Sequence, residues 1–167
     1  MREAFLGVKL LVDRTLGRLV RWLRLLGYDA AWDAQAGQAE LLARAECEDR
    51  ILLTRDTLLV ERRAVCRGRV RAVLVRGDLL AAQLEQLRTE EGLHRVGPPH
   101  CRVCGSRLLP MTPDEVHARV PPYVAATQHV FSYCPVCDRI TWPATHWDDM
   151  RRRLVEAGFA EPAEPGG

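Results

Sequence analysis

The sequence is nearly without lysine: Lys9 is the only one among 24 basic residues, so the rest are arginines. It also lacks an excess of one charge sign, with 22 acidic residues against those 24 and a formal net charge of +2. Global attraction to nucleic acid or to an anionic membrane is therefore not built in, although arginine forks suit phosphate. No apolar run approaches the ~18 to 20 residues needed to span a bilayer, so no membrane-spanning helix and no membrane partner are expected. The stretch from Met1 to Val12 reaches Arg2, Glu3 and Lys9 too soon for the apolar segment of a secretory leader. A cytoplasmic location is expected. There is no internal repeat, which sets aside a solenoid.

What is present has an ordinary globular balance: 167 residues, 47% hydrophobic and 28% charged. That length suits one domain, or one domain with a small appendage. The mild positive excess lies in the first part, with 17 basic and 14 acidic residues up to Gly97 and 7 and 8 beyond it.

Periodicity predicts an α/β unit in that first part. Val8 to Val12 is a short apolar run ending at Asp13, followed by a helical pattern from Arg14 to Leu26. Leu16, Leu19, Val20, Leu23 and Leu26 fall on one side of that helix, and Arg14, Arg18, Arg21 and Arg24 on the other. Gly27 is a natural stop. Further strands are expected at Asp29 to Trp32, at Ile51 to Thr54 and at Val70 to Val75. Helices are expected at Ala39 to Glu46, Leu58 to Val65 and Leu79 to Glu90. This alternation predicts right-handed crossovers and a small parallel sheet.

Gly97-Pro98-Pro99 marks a boundary. The predicted division is an α/β domain over 1–97, a metal ribbon with a C-terminal helix over 98–157, and a disordered tail over 158–167. In the second segment a hairpin is expected from His129 to Tyr133 and Arg139 to Trp142, then a helix from Trp147 to Ala157 with Met150 and Leu154 inward.

Two Cys-x-x-Cys turns, Cys101/Cys104 and Cys134/Cys137, have the spacing of a four-cysteine structural zinc site. Gly105 and Asp138 follow them at the position where a zinc knuckle favours a positive φ. A thioredoxin-type redox pair would be a single such turn opening a helix after a strand, so redox chemistry is disfavoured. With four cysteine ligands the zinc has no open position and serves folding. Zn²⁺ with four thiolates carries −2 in place of neutral thiols, moving the formal charge from +2 to 0. Cys47 and Cys66, in predicted helices without a Cys-x-x-Cys partner, are expected to be buried packing residues. Trp142 is expected in the ribbon core. His146 is not needed for zinc, and packing beside Trp147 is its expected role.

Asp13, Asp56 and Asp78 each stand at the carboxyl end of a predicted strand, where open parallel sheets bind their ligands. Three carboxylates around open space suit hydrated Mg²⁺ or Mn²⁺, ions that activate water for phosphodiester cleavage. The competing reading makes each aspartate a helix N-cap. Thr54 can orient a neighbouring carboxylate, or merely cap the strand end. Arg14, Arg18 and Arg21, running outward from that cleft, and Arg55 beside Asp56 are candidate phosphate contacts; a solvated helix face is the bland alternative.

The runs Asp13-Arg14-Thr15-Leu16-Gly17-Arg18-Leu19, Trp22 to Asp29, Arg50 to Asp56 and Gln83-Leu84, with the two cysteine turns, Trp142 and His146, resemble the Mut-seven C-terminal RNase domain family. The resemblance covers roughly Val8 to Leu154. It implies a PIN-like three-layer α/β ribonuclease unit with a zinc ribbon near its C terminus. It also implies a magnesium- or manganese-dependent RNase site at Asp13, Asp56 and Asp78. PIN-like domains usually place a further acid on the second helix, and the matching position here is Gln38. Glu40 lies two residues on, about 200° around a helix, and enters the site only if the register shifts. The function expected is hydrolysis of RNA. The alternatives are an RNA- or ribosome-binding adaptor that has lost a ligand, and a zinc-dependent protein-interaction module.

Overall fold

The computed structural model describes residues 8–94, 97–143 and 145–159. Its first part holds a four-stranded, fully parallel sheet of β1 (Lys9–Val12), β2 (Asp29–Trp32), β3 (Ile51–Thr54) and β4 (Ala72–Leu74), in spatial order β2-β1-β3-β4. Connecting helices are α1 (Gly17–Leu25), α2 (Gln38–Cys47), the single turns α3 (Thr57–Val60) and α4 (Arg63–Cys66), and α5 (Leu80–Glu90). The chain then makes β5 (Leu109–Met111), α6 (Pro113–Val116), α7 (Pro122–Thr127), β6 (Phe131–Cys134), β7 (Arg139–Thr141) and α8 (Thr145–Glu156).

The strand alternation sorts the core into two layers of packing. Leu10, Val12, Ala30, Leu53 and Val73 face one side, where Leu19, Val20 and Leu23 of α1, Leu84 and Leu87 of α5, and Met150 and Leu154 of α8 close over them. Leu11 and Leu52 face the other side, against Leu41 and Ala45 of α2 and Leu59 of α3. Both faces of the sheet are thus covered, which is why its strands read as unbroken apolar runs.

Several elements differ from expectation for local reasons. Helix one does not start at Arg14: residues Arg14–Leu16 form a 3-10 turn before α1. Arg24, expected on its outward polar side, is only 3% exposed, because the chain after Gly97 crosses that end of α1. The predicted helix Leu58 to Val65 is broken into α3 and α4 by Arg62, whose ψ of 144° is extended. β4 is three residues long, shorter than Val70 to Val75, although both those valines are buried. Cys47 and Cys66 are exposed and not core residues. Cys47 ends α2 away from its Leu41–Ala45 stripe, and the Cys66 thiol donates outward to the Glu61 carbonyl at 3.3 Å.

α1 ends as the sequence suggests. Gly27 has φ 87°, its N–H reaches the Arg24 carbonyl at 3.2 Å and the Tyr28 N–H reaches Leu23 at 3.0 Å, closing the last turn. A side chain there is also sterically barred, since a Cβ would lie 2.6 Å from the Gly97 carbonyl carbon. Gly97 donates to the Leu26 carbonyl at 2.8 Å and His100 to that of Arg24 at 2.8 Å, so the Gly-Pro-Pro segment is bonded back onto the first unit.

β5, β6 and β7 form an antiparallel sheet. The expected hairpin corresponds to β6 and β7; β5 is a third strand. The proline-punctuated stretch contains α6 and α7, each with a proline in its first turn, where the missing N–H is no loss. Thr112 and Glu115 form a capping box on α6. α8 follows the ribbon in the chain, yet its buried residues complete the core of the first unit. Phe159 is buried and its N–H donates to the Leu154 carbonyl at 3.0 Å, so ordered chain reaches at least that residue; 160–167 lie outside the described residues. The side chain of His146 also lies outside them.

Candidate active site and metal centre

The strand order reverses direction between β1 and β3: the chain steps from β1 outward to β2, then crosses back to β3. Crossovers leave on opposite sides of that point, opening a crevice at the carboxyl ends of the two strands. Asp13 directly follows β1, and Asp56 comes two residues after Thr54, the last of β3. Both cap helical turns, Asp13 Oδ1 accepting from the Thr15 N–H at 2.9 Å and Asp56 Oδ1 from the Leu58 N–H at 2.9 Å. Each uses one oxygen as a cap, which leaves its Oδ2 for something else.

Thr54 joins the two. Its side chain is fully buried, its hydroxyl donates to Asp13 Oδ2 at 2.7 Å, and the same oxygen accepts from the Asp56 N–H at 3.0 Å. Asp13 is 7% exposed, so this carboxylate is fixed in a nearly closed environment by two donors.

Gln38, the first residue of α2, fills the other side. Its Nε2 donates to Asp56 Oδ2 at 2.5 Å and its Oε1 accepts from Arg62 at 2.7 Å. The neighbours dictate the amide orientation, since flipping it would set an oxygen against the carboxylate and an N–H₂ against the guanidinium. Glu40 is exposed in the same first turn and bonds none of these groups. Asp78 is not drawn in either. Its side chain is 85% exposed and pairs with Arg55 at 2.5 Å, beside Arg18 in a small hollow. Among the described residues, only the four cysteines form a group of three or more His, Cys, Asp or Glu whose ligand atoms all lie within 4.8 Å. The structure thus brings Asp13, Thr54, Asp56 and Gln38 together and leaves Asp78 and Glu40 outside.

The cysteines converge from two turns that lie far apart in the chain. Cys101 and Cys137 sulfurs are 3.9 Å apart, and Cys104 and Cys134 sulfurs 3.5 Å. Tetrahedral ligands at a Zn–S distance of ~2.3 Å stand ~3.8 Å from one another. Gly105 and Asp138 have φ 80° and 50°, as the knuckle spacing requires. Burial pushes the Cys134 thiol up, but hydrogen bonds from the Ser106 hydroxyl and the Cys137 N–H outweigh it and bring the group down to about 6. Contact with Cys104 pushes Cys137 up to about 12, since four crowded thiols cannot ionise together without a cation among them. The cluster can hold a metal ion and is consistent with structural zinc.

Arg24 ties this centre to the first unit. Its Nε donates to the Ala30 carbonyl at 2.8 Å, and its Nη1 to the carbonyls of Arg102 at 3.1 Å and Val103 at 2.9 Å, inside the first cysteine turn. Burial lowers its pKa while the neighbouring Cys104 and Cys101 favour its charge.

The model of the Mut7-C RNAse domain matches residues 8–154. The chain belongs to the Mut7-C RNAse domain family. No curated protein and no solved structure matches it. Membership of this RNase family gives the crevice at Asp13 and Asp56 its functional weight, since paired caps alone also occur in inert α/β folds. Among the arginines of helix one, Arg14, Arg18 and Arg21 are solvent-accessible; Arg18 looks toward Asp78 and Arg55, and Arg21 toward the ribbon. Sequence reasoning missed Ser106 and Arg24 as partners of the cysteine turns. Ser106, two residues past Cys104, was open to a local reading; the Arg24 contact spans 78 residues and left no local trace.

Proposed function

We propose that the protein is a divalent-metal-dependent ribonuclease that hydrolyses RNA phosphodiester bonds at Asp13 and Asp56, with a structural zinc in the four-cysteine ribbon. The observation that carries the reading is the Thr54 hydroxyl, which holds the Asp13 carboxylate at the end of β1 and accepts from the Asp56 backbone N–H after β3, tying the two aspartates together in a member of an RNase family. Magnesium binds through one or two carboxylates and keeps several waters, so the pair is a sufficient anchor, and the ion would supply an activated water and charge neutralisation. Asp13 and Asp56 would hold the hydrated ion. Gln38 holds Asp56 in place, and Asp78 steadies Arg55 at the edge of the site, where Arg14, Arg18 and Arg55 can meet phosphates. The exposed thiols of Cys47 and Cys66 suit a reducing compartment, in keeping with a cytoplasmic protein.

The test is cleavage of single-stranded RNA by zinc-loaded protein with and without added Mn²⁺. Metal is withheld in the control because a chelator would also strip the ribbon. Asp13→Asn and Asp56→Asn should each abolish cleavage. Asp13→Asn should also lower stability by about 1 kcal/mol, since the Thr54 hydroxyl already accepts from Asp56 and loses its own acceptor. Full cleavage by Asp13→Asn would refute the assignment. The Gln38–Asp56 hydrogen bond favours a second reading, an RNA-binding adaptor whose site is closed to metal. In that case the parent binds RNA, never cleaves it, and both asparagine variants bind equally well.

A further inference from the structure

A cleft of about 820 Å³ separates the first unit from the ribbon, walled by α1 and the end of β2 on one side and by the first cysteine turn and β7 on the other. Five arginines line it against one acid, Asp138, and against Cys101 of the metal cluster, which carries −2 with zinc bound, so positive charge still prevails. Arg24 is occupied by backbone carbonyls, and Arg119 pairs with Asp138 at 2.7 Å while lying 5.1 Å over the Tyr133 ring. The other three, Arg21, Arg102 and Arg139, are exposed, and among the described residues none of their side chains has a hydrogen-bond or ion-pair partner. Three unpaired guanidinium groups around one concave surface call for an anionic occupant.

The aromatic content identifies which anion. Trp32 ends β2 and stays 38% exposed, with its indole laid against Gly17, where a Cβ would come within 3.2 Å of the ring. Trp142, half-buried against the ribbon core, faces the same space from the opposite wall. An acidic peptide would use the arginines and leave the indoles idle, whereas an unpaired base stacks on an indole face. The cleft is within the size of small-molecule sites and takes a few nucleotides of a single strand but not a duplex. One of its walls lies next to Asp13 in the sheet: Trp32 is the register partner of Val12, the residue before Asp13, one strand spacing of ~4.8 Å away.

We propose that this cleft is the single-stranded RNA channel of the protein, with a base stacked on Trp32 and phosphates held by Arg21, Arg102 and Arg139. The inference rests on RNA being the substrate and adds the path by which it reaches Asp13. The probe is a labelled mixed-sequence RNA decamer, titrated by fluorescence anisotropy with the zinc-loaded full chain and no Mg²⁺ or Mn²⁺. Trp32→Ala should weaken binding by about 5- to 150-fold, the range for losing one base stack. Trp32→Phe, which keeps a ring and should fold like the parent, recovers most of that loss. Arg102→Gln with Arg139→Gln should lower the log-log salt slope by about 1.4, at ~0.7 per phosphate on a single strand. A duplex of equal length should bind more weakly than the single strand.

Parental affinity in Trp32→Ala with unchanged zinc content and melting temperature would overturn the proposal. If that variant does not fold, an unaltered salt slope in the arginine pair overturns it instead. Displacement of the decamer by polyglutamate as readily as by unlabelled RNA would mark the cleft as an acidic-protein surface, which also overturns it. The two readings fail separately. RNA binding through Trp32 without any Mn²⁺-dependent cleavage sinks the ribonuclease assignment alone, and cleavage with unchanged KM in Trp32→Ala sinks the channel alone.

Discussion

Replacing Gln38 by glutamate restores a carboxylate to the second helix and tests what controls charge at the crevice. In the parent, Gln38 donates to Asp56 Oδ2 at 2.5 Å and accepts from Arg62 at 2.7 Å, so a neutral amide passes the polarisation of a guanidinium to a carboxylate. Gln38→Glu turns the first contact into two facing anionic oxygens. Two unit charges ~4 Å apart at an effective dielectric constant of ~20 repel by roughly 4 kcal/mol. The lost hydrogen bond to a charged acceptor adds about 1.5 kcal/mol. Three effects offset this: the new carboxylate gains an ion pair with Arg62 worth about 0–1 kcal/mol, it sits at the N-terminal turn of α2 for about 0.3–1 kcal/mol, and the two side chains swinging apart to ~8 Å halves the repulsion to roughly 2 kcal/mol. We expect a net loss of about 1.5–3 kcal/mol without divalent metal, or ~3–12 °C in melting temperature for a chain of this size. A cation between the two carboxylates removes the repulsion, so Mn²⁺ at about one hundred times its dissociation constant should return ~2.7 kcal/mol. The assay is a thermal melt of zinc-loaded parent and variant across a Mn²⁺ titration, with RNA cleavage measured in parallel. The variant should start lower, climb further and cleave faster at low Mn²⁺. If Gln38→Glu melts at the parental temperature without metal and gains no more than the parent from Mn²⁺, the Arg62–Gln38–Asp56 chain does not govern the site.

Three further outcomes follow from other parts of the molecule. Purified protein should carry close to one zinc per chain, and the Cys134→Ser, Cys137→Ser double variant should lose it; full zinc retention by that variant, read by metal analysis, would refute the four-cysteine assignment. Arg24→Met should cost about 2–4 kcal/mol in denaturant unfolding, because it strands the buried carbonyl of Ala30 and leaves the part-buried carbonyls of Arg102 and Val103 without their donor, whereas a solvated arginine would cost under ~0.5 kcal/mol. Glu48 is held below the usual carboxylate range chiefly by its hydrogen bond from Arg50, and then by Arg44. Its folded pKa being the lower one, the group's stabilisation is fully present above its unfolded value of ~4.3 and is lost as pH falls from there through the folded pKa. Glu48→Gln should therefore melt below the parent at pH 7, with the gap narrowing as pH falls below ~4.3; a gap independent of pH would show that the ion pairs do not act.

What could be read from the sequence was what is decided over short spans. The cysteine turns, the strand ends and the Gly27 stop each depend on a few consecutive residues, and the apolar runs of β1 and β3 needed no knowledge of their partners. Arg24 shows where that fails. Its place in the helical period puts it with Arg14, Arg18 and Arg21, and only the return of the chain at Gly97 to the end of α1 buries it. α8 is a second case, since chain order joins it to the ribbon while Met150 and Leu154 pack on the sheet. The break between α3 and α4 is a third, because Arg62 leaves the helical region where its guanidinium reaches Gln38, 24 residues earlier.

The carboxylates show a different limit, one of chemistry more than of distance. From sequence, a helix cap and a metal ligand look like rival uses of an aspartate at a strand end. In the structure a carboxylate has two oxygens, and Asp13 and Asp56 each turn Oδ1 to the helical turn that follows and Oδ2 to a side-chain donor, Thr54 for Asp13 and Gln38 for Asp56. The cap holds the carboxylate's orientation without an added group, so under the proposed ribonuclease function the strand-to-helix turn that the fold needs would also preset the site. Asp78 lacks that arrangement: α5 begins two residues beyond it, capped by Leu79 with no side-chain bond, and nothing but Arg55 holds its carboxylate among the described residues. The same strand-end position therefore yields a fixed group at β1 and β3 and an exposed ion-pair partner at β4. What separates them is whether the aspartate caps the next helix.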